Sequence, residues 1–164
     1  MKVCIIGTGY VGLVTGTCFA DLGNDVICVD RDKNKIENLK IGKVPIFEPG
    51  LEELIIKNSK IKTLNFSTDI NKSIRNSNII FICVGTPTNN KTNSVELKYV
   101  YQAVRSIKKN LNNYKIIVNK STVPVTAGDK IEKILTSKKN KKKFDVLSNP
   151  EFLREGEAIR DFIY

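Results

Sequence analysis

The most restrictive feature of this chain is a glycine pattern beginning at its seventh residue, Gly7-Thr8-Gly9-Tyr10-Val11-Gly12. A G-x-G-x-x-G run is common by itself. Here it leaves the apolar run Val3–Ile6, opens a helical pattern, and is followed by a second apolar run, Val26–Val29, that ends in Asp30. That order is the strand–turn–helix–strand unit that holds a dinucleotide. Gly7 permits the tight turn, Gly9 lets the backbone approach a pyrophosphate, and Gly12 lets the helix pack close to the strand. The N–H groups and positive dipole at the helix amino end then face the phosphates. Asp30 is placed to accept both ribose hydroxyls of an adenosine, with Arg31 and Lys35 near the adenine side or a phosphate. A glycine turn beside an ordinary surface aspartate is the plainer reading, and the flanking elements argue against it. The pattern fits a nicotinamide or a flavin dinucleotide and carries no second signal for flavin. A carboxylate at Asp30 accepts from a 2′-hydroxyl and repels a 2′-phosphate, which favours NAD over NADP. Arg31 is the one feature that works against this preference.

The remaining chain repeats the alternation. Ile79–Val84 is a strong further apolar run, Thr63–Phe66 a weaker one, and Ile116–Val118 and Phe144–Leu147 follow; the continuous runs suit strands buried on both faces. Helical patterns separate them. Tyr10–Leu22 puts Val11, Val14, Cys18 and Leu22 on one face, and Asp32–Leu39 follows the second run. Pro49-Gly50 opens a helix through Lys57, with Glu52 and Glu53 in its first turn. Ser67 or Thr68 is the expected cap of a helix to Arg75, Ser94 that of Val95–Lys108, and Thr126 that of a helix to Leu135. Strands alternating with such helices predict an α/β fold: a doubly wound parallel sheet of the Rossmann type, order 3-2-1-4-5-6. Its ligand crevice lies at the carboxyl ends of the strands.

Composition sets outer limits. With 164 residues the chain is expected to form one domain, 1–164, and 41% hydrophobic with 27% charged residues is the globular range. There is no histidine, which removes the commonest general base and the commonest metal ligand. Cys4, Cys18, Cys28 and Cys83 form no C-x-x-C pair and lie in apolar stretches, so they read as buried small hydrophobes in a reducing compartment, with no metal site. The net charge is +10, but Lys138-Lys139-Asn140-Lys141-Lys142-Lys143 supplies much of the excess and reads as a solvated loop. No aromatic residues interleave with it to stack bases, so no nucleic-acid partner is expected. The apolar runs are too short to span a membrane. The amino terminus has no signal-peptide pattern, and a cytoplasmic protein is expected.

Three more segments follow strand ends: Val84-Gly85-Thr86-Pro87-Thr88, Lys120-Ser121-Thr122-Val123-Pro124, and Ser148-Asn149-Pro150-Glu151-Phe152-Leu153-Arg154-Glu155-Gly156. Their prolines fix turns, Thr86 and Thr122 bring hydroxyls to the crevice, and Glu151 and Glu155 share a face if the segment is helical. Taken together, GTGYVG, FADLGNDVICVD, PIFEPGLEEL, VGTPT, KSTVPV and SNPEFLREGEAIRDF match, in order and over the whole chain, the UDP-glucose 6-dehydrogenase family. GDP-mannose and UDP-N-acetylmannosamine dehydrogenases share that scaffold. A non-catalytic dinucleotide-binding module is the competing reading.

The resemblance implies NAD-dependent oxidation of UDP-glucose to the uronate, using two NAD, in a homo-oligomer. It implies that Gly7, Gly9, Val11, Gly12, Asp30, Lys35, Thr86, Thr122 and Glu155 hold the cofactor. It also implies that Glu151, Phe152, Leu153, Arg154 and Glu155 line the nucleotide-sugar site. Thr122 and Glu151 are implied to handle water and proton in thioester hydrolysis. The family's nucleophile is a cysteine in a later glycine-rich motif that these 164 residues do not contain. They are therefore expected to bind NAD and to turn over nothing alone.

Overall fold

A computed structural model describes residues 1–89, 94–137 and 143–164. In chain order its elements are β1 (Lys2–Ile6), α1 (Tyr10–Asp21), β2 (Asp25–Val29), α2 (Lys33–Lys40), α3 (Leu51–Lys60), β3 (Leu64–Ser67), α4 (Ile70–Asn76) and β4 (Ile79–Ile82). A two-residue pair, β5 (Thr88–Asn89) and β6 (Ser94–Val95), precedes α5 (Lys98–Asn110), β7 (Lys115–Asn119), α6 (Ala127–Leu135), β8 (Phe144–Ser148) and α7 (Ala158–Ile163). Six parallel strands form one sheet in the order β3-β2-β1-β4-β7-β8. Counted among themselves they run 3-2-1-4-5-6, as the sequence predicts. The lysine run lies outside the described residues except for Lys143.

The continuous apolar runs have a direct cause. Side chains alternate across a strand, and here both faces are covered. Val3 and Ile5 of β1 pack into a core with Leu13, Val14, Leu51 and Ile55, beneath α1 and α3. Cys4 and Ile6 of the same strand point the other way, into a core with Val100, Val104, Ile107 and Ile131 of α5 and α6. All four cysteines are buried and unpaired. Burial pushes the thiols of Cys4, Cys18 and Cys83 up to about 12 and holds that of Cys28 well above its ordinary value. Lys115 is buried as well. Its Nζ donates to the Ser77 carbonyl at 2.5 Å and the Arg75 carbonyl at 3.3 Å, satisfying groups at the end of α4, and desolvation lowers its pKa.

Several local expectations are corrected. Neither Ser67 nor Thr68 caps α4; Asp69 does, accepting from the Lys72 N–H at 2.9 Å. Ser94 lies in β6 instead of capping a helix. α5 begins only at Lys98, whose N–H bonds the Glu96 side chain. Thr126 stands at the start of α6 but makes no side-chain cap bond. Leu22 is 62% exposed, because α1 ends at Asp21 and the chain turns away at Gly23. Glu151 and Glu155 share no helical face, since the chain from 149 to 157 is extended and turned and α7 starts at Ala158.

One glycine of α1 has a packing role that the motif does not announce. A Cβ on Gly16 would sit 2.5 Å from the Cys28 sulfur and 3.2 Å from Ile5 Cγ1. Alanine in a helix ordinarily gains about 1 kcal/mol over glycine. Here overpacking of about 1–3 kcal/mol opposes that gain. Gly16→Ala should therefore destabilise the protein in urea unfolding, and the same change in a Cys28→Ala background should be neutral or stabilising. Equal effects in both backgrounds would show that the helix-to-strand spacing is not set at this contact.

Candidate dinucleotide-binding site

The crossing point between β1 and β4 opens a cleft of about 500 Å³ at the carboxyl ends of the strands. Gly7, Thr8 and Gly9 form its base, Asp30, Arg31, Asp32 and Lys35 one side, and Val84 and Gly85 another. Tyr99, Gln102, Ala103 and Ser106 of α5 close the far wall.

The three motif glycines do different things. Gly7 has φ +103°, and a Cβ on it would lie 2.5 Å from the Cys83 carbonyl oxygen. A Cβ on Gly12 would lie 2.0 Å from the Gly7 carbonyl oxygen. Both glycines are required by the protein's own backbone. Gly9 is different, because a Cβ there would meet nothing within 4 Å. It borders the cleft at the start of α1, where the N–H groups of Tyr10, Val11 and Gly12 have no intrahelical partner. The open space over Gly9, next to those donors, fits a pyrophosphate.

Asp30 follows β2 and is half-buried. Its Oδ2 accepts from the Thr8 N–H at 3.0 Å and the Thr8 hydroxyl at 2.7 Å, with the Lys35 ammonium 3.6 Å away. Among the described residues its Oδ1 accepts only the Asp32 N–H, at 3.2 Å, which leaves a lone pair for a ribose hydroxyl. Burial alone would raise the Asp30 pKa. The Thr8 and Asp32 donors and Lys35 outweigh it and hold the carboxyl below its ordinary value. Arg31, the residue that weakened the case against NADP, lies over the Tyr99 ring at 4.7 Å. It thus has a partner within the wall it helps to form.

The later loops divide. Thr86, Thr122 and Glu155 lie in the turns after β4, β7 and β8, but none of them lines the cleft. Val11 is partly buried and Gly12 buried at the start of α1. Glu151 accepts the Leu153 N–H at 2.8 Å, so its carboxylate fixes the turn in which it stands. Leu153 packs against the core, whereas Phe152 is 86% exposed. Arg154 is locked to Asp161 through its side chain, at 2.6 and 3.0 Å, and its N–H, holding the Asp161 carboxyl at about 2. Sequence reasoning missed Thr8, Tyr99, Gln102 and Ser106. The hydroxyl between two motif glycines was a signal for Thr8, since a half-buried carboxylate needs donors. The α5 residues carry no local signal. Among the described residues no three His, Cys, Asp or Glu side chains cluster to hold a metal, and no helix is long and apolar enough to cross a membrane.

The Asp30 geometry has a pH signature. A carboxyl whose folded pKa is depressed stabilises the fold above its unfolded value, about 3.9, and loses that contribution as pH falls through the folded value. Asp30→Asn should cost about 1–2 kcal/mol in urea unfolding at pH 7. The gap to the unsubstituted protein should close below about pH 4. A gap of constant size across that range would show that the Thr8 contacts do not depend on the charge.

Known proteins resemble this chain along its whole length. The family model for the UDP-glucose/GDP-mannose dehydrogenase family, NAD binding domain, matches residues 1–164. UDP-glucose 6-dehydrogenase TuaD of Bacillus subtilis (strain 168) is 54% identical over 161 residues, which is 98% of this chain and 35% of the relative. UDP-glucose 6-dehydrogenase of Rhizobium meliloti (strain 1021) is 50% identical over 162 residues, 99% of this chain and 37% of the relative. Among solved structures, a ternary complex of GDP-mannose dehydrogenase from Pseudomonas aeruginosa superposes with a TM-score of 0.92 at 35% identity, covering 100% of this chain and 39% of that one. A UDP-glucose dehydrogenase from Pyrobaculum islandicum gives 0.91 at 35% identity, covering 98% and 38%. The chain thus spans little more than a third of the length of these relatives. The glycine cradle, the Asp30 carboxylate and a family match over every residue place the chain in the UDP-glucose/GDP-mannose dehydrogenase family as its NAD-binding domain.

Proposed function

We propose that residues 1–164 are one structural unit, the cofactor half of a UDP-glucose 6-dehydrogenase that oxidises UDP-glucose to UDP-glucuronate with two NAD. The observation that carries the reading is the pairing of an open Gly9 at the base of one cleft with a donor-held, charged Asp30 in its side wall. The branch within the family rests on relatives of 54% and 50% identity that bear the UDP-glucose 6-dehydrogenase name. A GDP-mannose dehydrogenase domain is the second reading, favoured by the structural match to that enzyme.

In this reading NAD supplies the hydride acceptor. The N–H groups at the start of α1 bind its pyrophosphate, and Asp30 Oδ1 accepts from the adenosine ribose. Lys35 adds charge on the ribose side. Thr86, Thr122 and Glu155 are assigned to the rest of the NAD site, and Glu151, Phe152, Leu153, Arg154 and Glu155 to the nucleotide sugar. Thr122 and Glu151 are assigned the water and the proton of the final hydrolysis. The four thiols are buried and pushed towards neutrality, so none of them is offered as the nucleophile. These 164 residues alone are therefore expected to bind NAD without oxidising sugar.

A chimera tests the assignment: these residues in place of the matching portion of B. subtilis TuaD, assayed for NADH formation. UDP-glucose should be oxidised with NAD in preference to NADP, and Asp30→Ala should erode that preference. Thr122→Ala and Glu151→Gln should each slow turnover by roughly 10²-fold with little change in melting temperature. Oxidation of GDP-mannose in preference to UDP-glucose would establish the second reading. Loss of stability with normal turnover per folded molecule would return Thr122 and Glu151 to a structural role.

A further inference from the structure

The motif PIFEPGL contains a carboxylate that the cofactor site does not use. Glu48 is 6% exposed and stands in the loop before α3. Among the described residues it has no lysine or arginine within ion-pair distance. Its charge is met by donors from two distant parts of the chain. The Tyr10 hydroxyl donates to Oε2 in a short hydrogen bond. The Gly156 N–H donates to Oε2 at 2.8 Å, and the Ile159 N–H to Oε1 at 3.3 Å. The Tyr10 oxygen is itself 3.1 Å from the Gly156 nitrogen, which also bonds it. Desolvation opposes the charge, but Tyr10 and the Gly156 and Ile159 N–H groups outweigh it and lower the Glu48 pKa. Burial, with the hydrogen bond to Glu48, pushes Tyr10 up to about 12. The pair is therefore a neutral phenol donating to a buried carboxylate.

The positions of these partners give the contact its meaning. Tyr10 is the first residue of α1, directly after Gly9 and next to the unpaired N–H groups of the cleft. Gly156 has φ +87° and ends the turn that carries Glu151 to Glu155, and Ile159 lies in the first turn of α7. One buried carboxylate thus ties the first residue of α1 to the segment that leads into α7.

We infer that Glu48 is a positioning residue that couples occupation of the dinucleotide cleft to the ordering of residues 151–159, with Tyr10 as the link. The inference rests on the dinucleotide reading of the cleft. A ligand that steadies the first turn of α1 steadies the Tyr10 hydroxyl, and the Tyr10–Glu48–Gly156 contacts carry that restraint to the segment. By linkage, ordering that segment strengthens cofactor binding by the same factor.

Amide hydrogen exchange, read residue by residue with and without saturating NAD, tests this. The quantity is the ratio of exchange rates in the two states, so a change in affinity does not enter. In the unsubstituted protein NAD should slow exchange at Gly156 and Ile159 by roughly tenfold. In Tyr10→Phe and in Glu48→Gln the ratio should fall towards one. Tyr10→Phe removes a single hydroxyl and keeps the test decisive if the Glu48 variant does not fold. A merely structural contact predicts faster exchange in the variants with the ratio intact, and that result would overturn the coupling. NAD-induced changes at Gly9 and Asp30 with none at Gly156 or Ile159 would overturn it too, leaving the cofactor site standing. No change at Gly9 or Asp30 would defeat the dinucleotide reading and the coupling together.

Discussion

The structure depends on a close backbone contact where the first strand gives way to the first helix. The Cα of Gly7 passes so near the Cys83 carbonyl, and that of Gly12 so near the Gly7 carbonyl, that any side chain at either position would displace backbone atoms. This contact brings the start of α1 against the end of β4, at the point where the strand order reverses. Helices after β1 and β4 then leave towards opposite faces of the sheet, and the cleft is the space between them. The cleft is thus a consequence of how the sheet is wound, with Gly9 as the one motif glycine on which a Cβ would meet nothing within 4 Å.

Two carboxylates refine this scaffold, and both are held mainly by neutral donors. Asp30 takes two donors from Thr8 and one from Asp32, with Lys35 beyond hydrogen-bonding range. Glu48 takes a phenol and two backbone N–H groups. A charged group held this way keeps its charge and gains a fixed orientation, because hydroxyl and amide donors are directional and short in reach. In Asp30 the result is a charged carboxylate held fixed in the wall of the cleft. In Glu48 it is a joint between elements 146 residues apart in sequence, Tyr10 and Gly156.

Much of this was legible in the residues. The sheet order followed from apolar runs whose lengths and spacing admit few alternatives; the runs of β1, β2, β4 and β7 feed two cores, and those of the edge strands β3 and β8 feed one each. Gly7, Gly9, Gly12, Asp30 and Lys35 met around one cleft or its turn because a local motif encodes them. Helix starts were less legible. Ser94 looked like a cap, but β5–β6 pairing captured it, and Asp69 displaced Ser67 and Thr68 because its side chain reaches the Lys72 N–H. Leu22 fitted a helical stripe whose last turn does not form. Thr8, Tyr99 and Glu48 owe their roles to partners distant in sequence: Asp30, Arg31 and Gly156. No window of local sequence contains both members of those pairs.

Gly7 and Gly12 are fixed by the fold, and Gly9 faces open space at the cleft. The direct measurement is Gly9→Ala, followed by urea unfolding and NAD calorimetry on one preparation. Unfolding close to that of the unsubstituted protein is expected, since the new methyl meets nothing within 4 Å. NAD binding should weaken by roughly tenfold or more, because the methyl occupies the approach to the helix amino end. Unchanged NAD affinity, or a loss of stability like that expected of a substitution at Gly12, would contradict this role of Gly9.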